Sequence, residues 1–333
     1  MTKQTLKNFA LALGLLGLAL IPSTSLAQAG PASKLPGRNP ASAAAQAASH
    51  QAKSPGSPSY TYTLLSFPGS LSTTAISINP GATTSKIEVV GIAGTNGFLA
   101  RVSGKKTITE TYKTVNYPHA AEQDGTQGIN DLGQIVGIYV DGSGVYHGYE
   151  LSGRKFTTLD VPFSGAIATY AYGINNSGEI VGGWVDSGQN GHGFTLTGST
   201  YASFDFPGGH DTQAFTINSA GEIVGPYEDE SGITHGFLLS GGTYTSIDFP
   251  GAPASIAEGI NDAGDIIGDY CTTSECVATD DWNQGYLLSE GAFTTIAIPG
   301  EVYTLAENIN NNGVVVGFYE DAAGLVVSFL ATP

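Results

Sequence analysis

Gly173-Ile174-Asn175-Asn176-Ser177-Gly178-Glu179-Ile180-Val181-Gly182 decides the fold, because the chain keeps returning to it. Its closing triplet occurs as Val89-Val90-Gly91, Ile135-Val136-Gly137, Ile180-Val181-Gly182, Ile223-Val224-Gly225, Ile266-Ile267-Gly268 and Val315-Val316-Gly317, at intervals of 46, 45, 43, 43 and 49 residues. The long last interval holds an extra loop with both cysteines. Upstream stands an Asn/Gly turn, as in Ile129-Asn130-Asp131-Leu132-Gly133 and Ile260-Asn261-Asp262-Ala263-Gly264. Asn and Gly tolerate positive φ, which tight hairpins demand, so each turn is expected to join two adjacent strands. Downstream comes a Gly/Asp/Ser loop and a third strand such as His235-Gly236-Phe237-Leu238-Leu239, then a fourth, as in Tyr244-Thr245-Ser246-Ile247-Asp248-Phe249-Pro250.

Each repeat thus supplies four short strands rich in Val, Ile, Thr, Phe and Tyr, with no helical period from Tyr60 onward. A four-stranded unit of about 45 residues has the size of a propeller blade. The ends complement each other. The last repeat, from about Tyr303 to Phe329, stops before a fourth strand, while Tyr60-Thr61-Tyr62-Thr63-Leu64-Leu65-Ser66-Phe67-Pro68 reads as an isolated fourth strand. Pairing the two would close a ring and cover an edge that otherwise invites aggregation. The expectation is an all-β, six-bladed β-propeller of four-stranded antiparallel blades over 60–333, its N-terminal strand completing the last blade. An open β-solenoid explains the period but not the complementary ends.

The recurring Gly-Ile-Asn-x-x-Gly-x-Ile-Val-Gly, followed by His-Gly-Phe/Tyr at His147, His192 and His235, resembles the HAF-type extracellular repeat of bacteria. The resemblance spans Tyr60 to Pro333. It departs at Asn96-Gly97-Phe98, Gln284-Gly285-Tyr286 and Val327-Ser328-Phe329, where the histidine is missing. What it implies is an exported repeat protein, and it speaks to fold and location more than to activity.

Residues 1–27 read as a secretory signal peptide: Lys3 and Lys7, an apolar run from Phe9 to Ile21, and the small-residue ending Ser25-Leu26-Ala27. The run is too short to span a bilayer. Residues 28–59, built of Ala, Pro, Ser, Gln and Gly, bury too little to offset their ordering entropy and read as a disordered linker. Export places the mature chain outside the cell, on its surface or in the periplasm, with no membrane span, as a monomer. The chain carries a net charge of −17, and loss of Lys3 and Lys7 takes it to −19. Every Lys and Arg lies at or before Lys155, so the second half is purely acidic. Such a field repels nucleic acid and anionic surfaces and attracts cations. Cys271 and Cys276, the only cysteines, are expected to form a local disulfide. Two thiols alone make a poor metal site.

If the blades follow the usual order, loops between second and third strands share one face with loops from a fourth strand to the next first strand. Length variation falls there, at 118–127, 207–214, 250–257 and 271–284, and binding tends to reside on such loops. His119, Glu122 and Asp124 of one loop, and His210 with Asp211 of another, should open near the axis, where a histidine beside a carboxylate serves acid–base work or holds a metal. These are the catalytic candidates. Asp141, Asp186, Glu228-Asp229-Glu230, Asp280-Asp281 and Glu320-Asp321 are cation candidates, with calcium as the hard-oxygen choice, although none completes an Asp-x-Asp-x-Asp-Gly loop. His147, His192 and His235 open third strands about 10 Å from the innermost strand. They diverge, and are expected to pin their own loops rather than share an ion. Trp184 reads as packing. Trp282, beside Asp280 and Asp281, stacks on a sugar or cation if exposed, or packs over the disulfide loop.

No nucleophile elbow, His-Glu-x-x-His or phosphate loop occurs. The leading expectation is therefore a binding module that offers its variable loop face to an extracellular carbohydrate, peptide or cation. The alternative is a propeller hydrolase, lactonase or lyase at the central mouth, with calcium as its cofactor.

Overall fold

The computed structural model describes residues 60–81, 86–103, 109–121, 124–279, 282–301, 303–321 and 324–333. The leader and linker expected over 1–59 lie outside the described residues, as do Glu122, Asp280, Asp281 and the side chain of Asp124. Strand pairing follows the repeat. Residues 73–114, 124–159, 166–204 and 216–247 form four separate four-stranded antiparallel sheets, here blades one to four. Residues 255–296 form blade five, and residues 304–332 with 61–65 form blade six. A single parallel bridge, Gln284 to Thr304, joins these two into one eight-stranded sheet. The innermost strands, Thr73–Ile78, Asp124–Ile129, Ala166–Ile174, Thr216–Ile217, Ser255–Ile260 and Thr304–Ile309, touch in a closed cycle in which blade six meets blade one.

Closure is made as the ends foretold. Thr61–Leu65 pairs antiparallel with Val326–Thr332, from Thr61 opposite Thr332 to Leu65 opposite Ser328. Leu65 is fully buried among Ala75, Val89, Phe98, Val316 and Leu330, which come from blades one and six. The strand therefore covers an edge and also fills a core between two blades.

The triplet glycine has a steric reason. In all six copies a Cβ would run into a carbonyl oxygen of the blade's own innermost strand or, in blade four, of the segment leading into it: Thr74, Gly125, Tyr170, Gln213, Ile256 and Leu305 in turn. Beneath it lies the third-strand aromatic, Phe98, Tyr149, Phe194, Phe237, Tyr286 or Phe329, each fully buried. Glycine lets the ring lie flat against the strand, and the ring supplies the blade's largest buried apolar area.

The asparagines do something other than the sequence reading assigned. The hairpin turns take their positive φ at glycine, as at Gly133 (72°), Gly178 (79°) and Gly264 (82°), and no turn asparagine has positive φ among the described residues. Instead Asn175 Oδ1 accepts the Ser177 and Glu179 amides at 3.1 and 3.0 Å, while its Nδ2 donates to the Asn218 carbonyl of the next blade at 3.2 Å. Asn130, Asn218 and Asn261 repeat the link to Asn175, Asn261 and Asn310. The amide side chain both builds its turn and clasps its neighbour, a double task that only Asn, with acceptor and donor on one short stem, performs.

Each innermost strand except that of blade four shows a register shift at an equivalent point, where the displaced residues are Ile76, Gln127, Tyr172, Glu258 and Glu307, and blade three has a second at Ile167. On the turn face the axis narrows to about 30 Å³ of room, lined from all six blades by residues such as Ser77, Ile129, Tyr172, Thr216, Ile260 and Asn308. That is the scale of a water molecule. A six-residue helix, Ser274–Thr279, lies in the inserted loop of blade five, where Cys271 and Cys276 are disulfide-bonded. No helix among the described residues is long and apolar enough to cross a membrane.

Candidate functional site on the loop face

On the face opposite the asparagine turns, the second-to-third-strand loops are built around aspartates. Asp141 Oδ1 accepts the Ser143 and Val145 amides at 2.8 and 2.9 Å, and Asp229 Oδ1 accepts those of Ser231 and Ile233 at the same distances. Asp186 Oδ1 takes the Asn190 amide at 2.9 Å. These backbone donors hold all three carboxyls below the usual carboxylate range. Asp141, Asp186 and Asp229 therefore build their own loops. Glu230 is exposed and joins no metal-competent group among the described residues.

The three histidines clamp those loops. His147 Nδ1 meets Asp160 Oδ1 at 2.7 Å while its Nε2 lies 3.5 Å from Asp141; His192 sits between Asp205 (2.9 Å) and Asp186 (3.7 Å), and His235 between Asp248 (2.8 Å) and Asp229 (3.5 Å). Each ring stacks on an aromatic of the second strand, Tyr139, Trp184 or Tyr227. The expectation of local pins rather than a shared ion agrees with this geometry. A sequence signal was present and went unread: each histidine has an aspartate six residues before it and another thirteen after it.

Among the described residues, one group of metal-competent side chains converges. A nitrogen of His210 and carboxylate oxygens of Asp211 and Glu228 lie within 4.8 Å of one another. Chain geometry brings them together: His210 pairs by both backbone hydrogen bonds with Glu228, at 2.9 and 2.8 Å, as a lone bridge at the start of blade four. Asp211 adopts left-handed backbone, φ 50°. In that conformation Asp211 Oδ2 meets His210 Nδ1 at 3.0 Å, and its Oδ1 accepts the Gly191 amide of blade three at 2.7 Å. The His210 side chain is 47 % exposed and that of Asp211 14 %. Burial pulls the imidazole pKa down, but the hydrogen bond and charge of Asp211, with the charge of Glu228, outweigh it and raise the pKa above the ordinary histidine value.

Of His119, Asp124, His210 and Asp211, the structure brings His210 and Asp211 together, and the side chain of Asp124 lies outside the described residues. His119 is exposed on the corresponding loop of blade two and is not in the group around His210. It stands where the equivalent turns have Gly69, Gly165, Gly208, Gly251 and Gly300, and it takes their positive φ, 67°. Asp124 lies opposite Tyr139 in register, as Ser255 lies opposite Tyr270 and Thr304 opposite Tyr319. In those blades the hydroxyl accepts a loop amide, from Phe249 or Ile298. Trp282 is 7 % exposed, which removes it as an open stacking platform. Trp184 donates to Ser203 Oγ at 2.9 Å and packs against Phe163, as expected of a core residue.

No family model and no curated protein matches this chain. Among solved structures it is similar to the Aleuria aurantia lectin in complex with alpha-methyl-L-fucoside, a mutant form, at 14 % identity over 77 % of this chain and 91 % of that one, with a TM-score of 0.46. A mutant of AofleA from Arthrobotrys oligospora is similar at 14 % identity over 86 % and 90 %, with a TM-score of 0.48.

Proposed function

We propose that the protein is an exported binding module of the HAF-repeat type that meets an oxygen-rich extracellular ligand, carbohydrate foremost, on its loop face. A divalent cation at His210, Asp211 and Glu228 completes the site. The observation that carries this reading is the convergence of three donors within 4.8 Å on a partly exposed part of that face. Four further features support it: the closed ring holds the loops in place without ligand, the surrounding half of the chain is acidic and concentrates cations, the site is open on one side, and a bound cation would leave coordination positions for a ligand's hydroxyls. One nitrogen and two carboxylates suit zinc or manganese better than calcium, whose ligands are oxygens. The raised pKa of His210 means that protons compete with the metal as the medium turns acidic.

Titration calorimetry of the full chain with zinc, manganese and calcium tests this. One equivalent should bind to the natural protein and none to Asp211→Asn or Glu228→Gln, and glycan retention should need the metal. Absence of metal binding, or retention unchanged by chelator, overturns it. The His210–Asp211 hydrogen bond at 3.0 Å also favours a second reading, a hydrolase or lactonase with His210 as a base held in one tautomer. Turnover of an ester or lactone that His210→Ala abolishes and His119→Ala leaves intact would select it.

A further inference from the structure

Glu258, Asp269 and Glu307 depart from the repeat in the same place, where blade five meets blade six. Glu258 and Glu307 occupy the displaced position of their innermost strands, which is Ile76, Gln127 and Tyr172 in blades one to three. Asp269 follows the triplet glycine, where the other blades have Ile92, Ile138, Gly183, Pro226 and Phe318. Their relative exposures are 7, 0 and 6 %. Backbones touch at this seam: a Cβ on Gly259 would stand 2.9 Å from Asn308 Cα.

Three carboxyls in such a place need donors or cations, and they have almost none. Asp269 Oδ1 accepts the Ala306 amide at 2.9 Å. Asp269 Oδ2 and Glu307 Oε1 are buried without a hydrogen-bond partner among the described residues. No Lys or Arg follows Lys155 in the chain, and the one ion pair of a Lys or Arg among the described residues is Arg101 with Glu88. Tyr286 and Tyr172 are the other titratable groups that face the three acids, and both are fully buried phenols kept neutral by that burial. Tyr286 donates to the Ile256 carbonyl at 2.9 Å and Tyr172 to Gln213 at 3.1 Å, so neither hydroxyl proton is free for an acid. An ionised carboxylate without a partner in such surroundings is strongly disfavoured and takes up a proton instead.

We propose that Glu258, Asp269 and Glu307 form a proton-holding cluster that locks blade five to blade six, and that loss of these protons loosens the seam. Burial pushes the pKa of Glu307 up to about 8. It also raises those of Glu258 and Asp269, to which the charges of the other acids add. The sign follows. The unfolded chain ionises Glu307 near its ordinary value of 4.5, whereas the folded chain keeps the proton to about 8. Stability is therefore fully present below the lower value and is lost as pH rises toward the upper one, by up to about tenfold in the unfolding constant per pH unit for each proton retained. Blade six also carries the closing strand, so the seam and the closure are affected together.

Thermal unfolding of the full chain in chelator, from pH 4.5 to 9, tests the cluster. The melting temperature should fall by about 10 °C across that range. Glu307→Gln should lower the slope by the one proton it removes and exceed the natural protein at pH 9, and adding Glu258→Gln should lower the slope further. Infrared spectra of the natural protein should show a protonated-carboxyl stretch at pH 6 that fades by pH 9, a readout that needs no variant. A flat profile, a slope unchanged in Glu307→Gln, or no such band overturns the proposal. So does calcium that restores the melting temperature at pH 9 in the natural protein but not in Glu307→Gln, since the cluster is then a cation site. None of these outcomes depends on His210.

Discussion

Two alanine substitutions four residues apart in blade three separate the roles of its glycines. Gly178 has φ 79° and nothing within 4 Å of an added Cβ, so Gly178→Ala forces only an unfavourable backbone region, about 1 kcal/mol. Gly182→Ala is a different event. Its Cβ would enter the Tyr170 carbonyl oxygen and stand 2.7 and 2.9 Å from Cε1 and Cζ of Phe194, against an ordinary carbon–carbon contact of about 3.5 Å. Phe194 is fully buried and cannot retreat, so the innermost strand must move away from its partner at the register pair Ala171–Gly182. Overpacking of a rigid core costs about 3 kcal/mol, and the simultaneous backbone overlap pushes toward or beyond that figure. For a domain of this size the expected losses in melting temperature are about 2 °C for Gly178→Ala and at least about 6 °C for Gly182→Ala. Urea unfolding followed by tryptophan fluorescence suits the measurement, since Trp184 lies two residues along the same strand. If Gly182→Ala is the milder of the two, close approach is not why the triplet ends in glycine.

His119→Gly should stabilise the protein by about 1 kcal/mol, because it restores the residue that five equivalent turns use at positive φ; a loss on urea titration would show that the imidazole makes a contact worth more than its strain. Leu65→Ala, which empties a fully buried position between blades one and six, should cost about 2–5 kcal/mol and raise amide exchange in Val326–Thr332, and exchange unchanged in that strand would contradict closure by the N-terminal segment.

The frame was legible because it is periodic. Six returns of one triplet, and an N-terminal strand that matches a missing C-terminal one, determine blade size, strand order and closure without reference to any contact. The asparagine role was not, since Asn175 serves Ser177 and Glu179 through one atom and Asn218 through another, and the second partner lies 43 residues away across a blade junction. His–Asp spacing was legible in principle, as the clamp partners keep a constant interval. The His210 group was half legible. His210 and Asp211 are neighbours in the chain, but Glu228 joins them through a two-residue backbone bridge that no local pattern announces. The sequence left Trp282 open between stacking and packing, and it is buried; chain neighbours do not report which way a side chain turns.

Periodicity also shows where chemistry is to be sought. A position that carries the same residue type in every blade answers a need of the frame: glycine under the aromatic, asparagine at the junction. A polar residue that breaks the pattern has no such reason and must be tolerated or used. His210 stands where the matching loops have Leu71, Ile167 and Pro253, and its bridge partner Glu228 where blades two and three have Val140 and Val185 and blade six has Glu320. Glu258, Asp269 and Glu307 break the pattern in the interior, where tolerance is expensive: two unpaired buried oxygens remain. The two groups are therefore separable by exposure. The open one has room for a metal and its ligand. The closed one is buried and admits a proton at least cost, which is why the loop face is assigned to recognition and the buried seam to the response to pH.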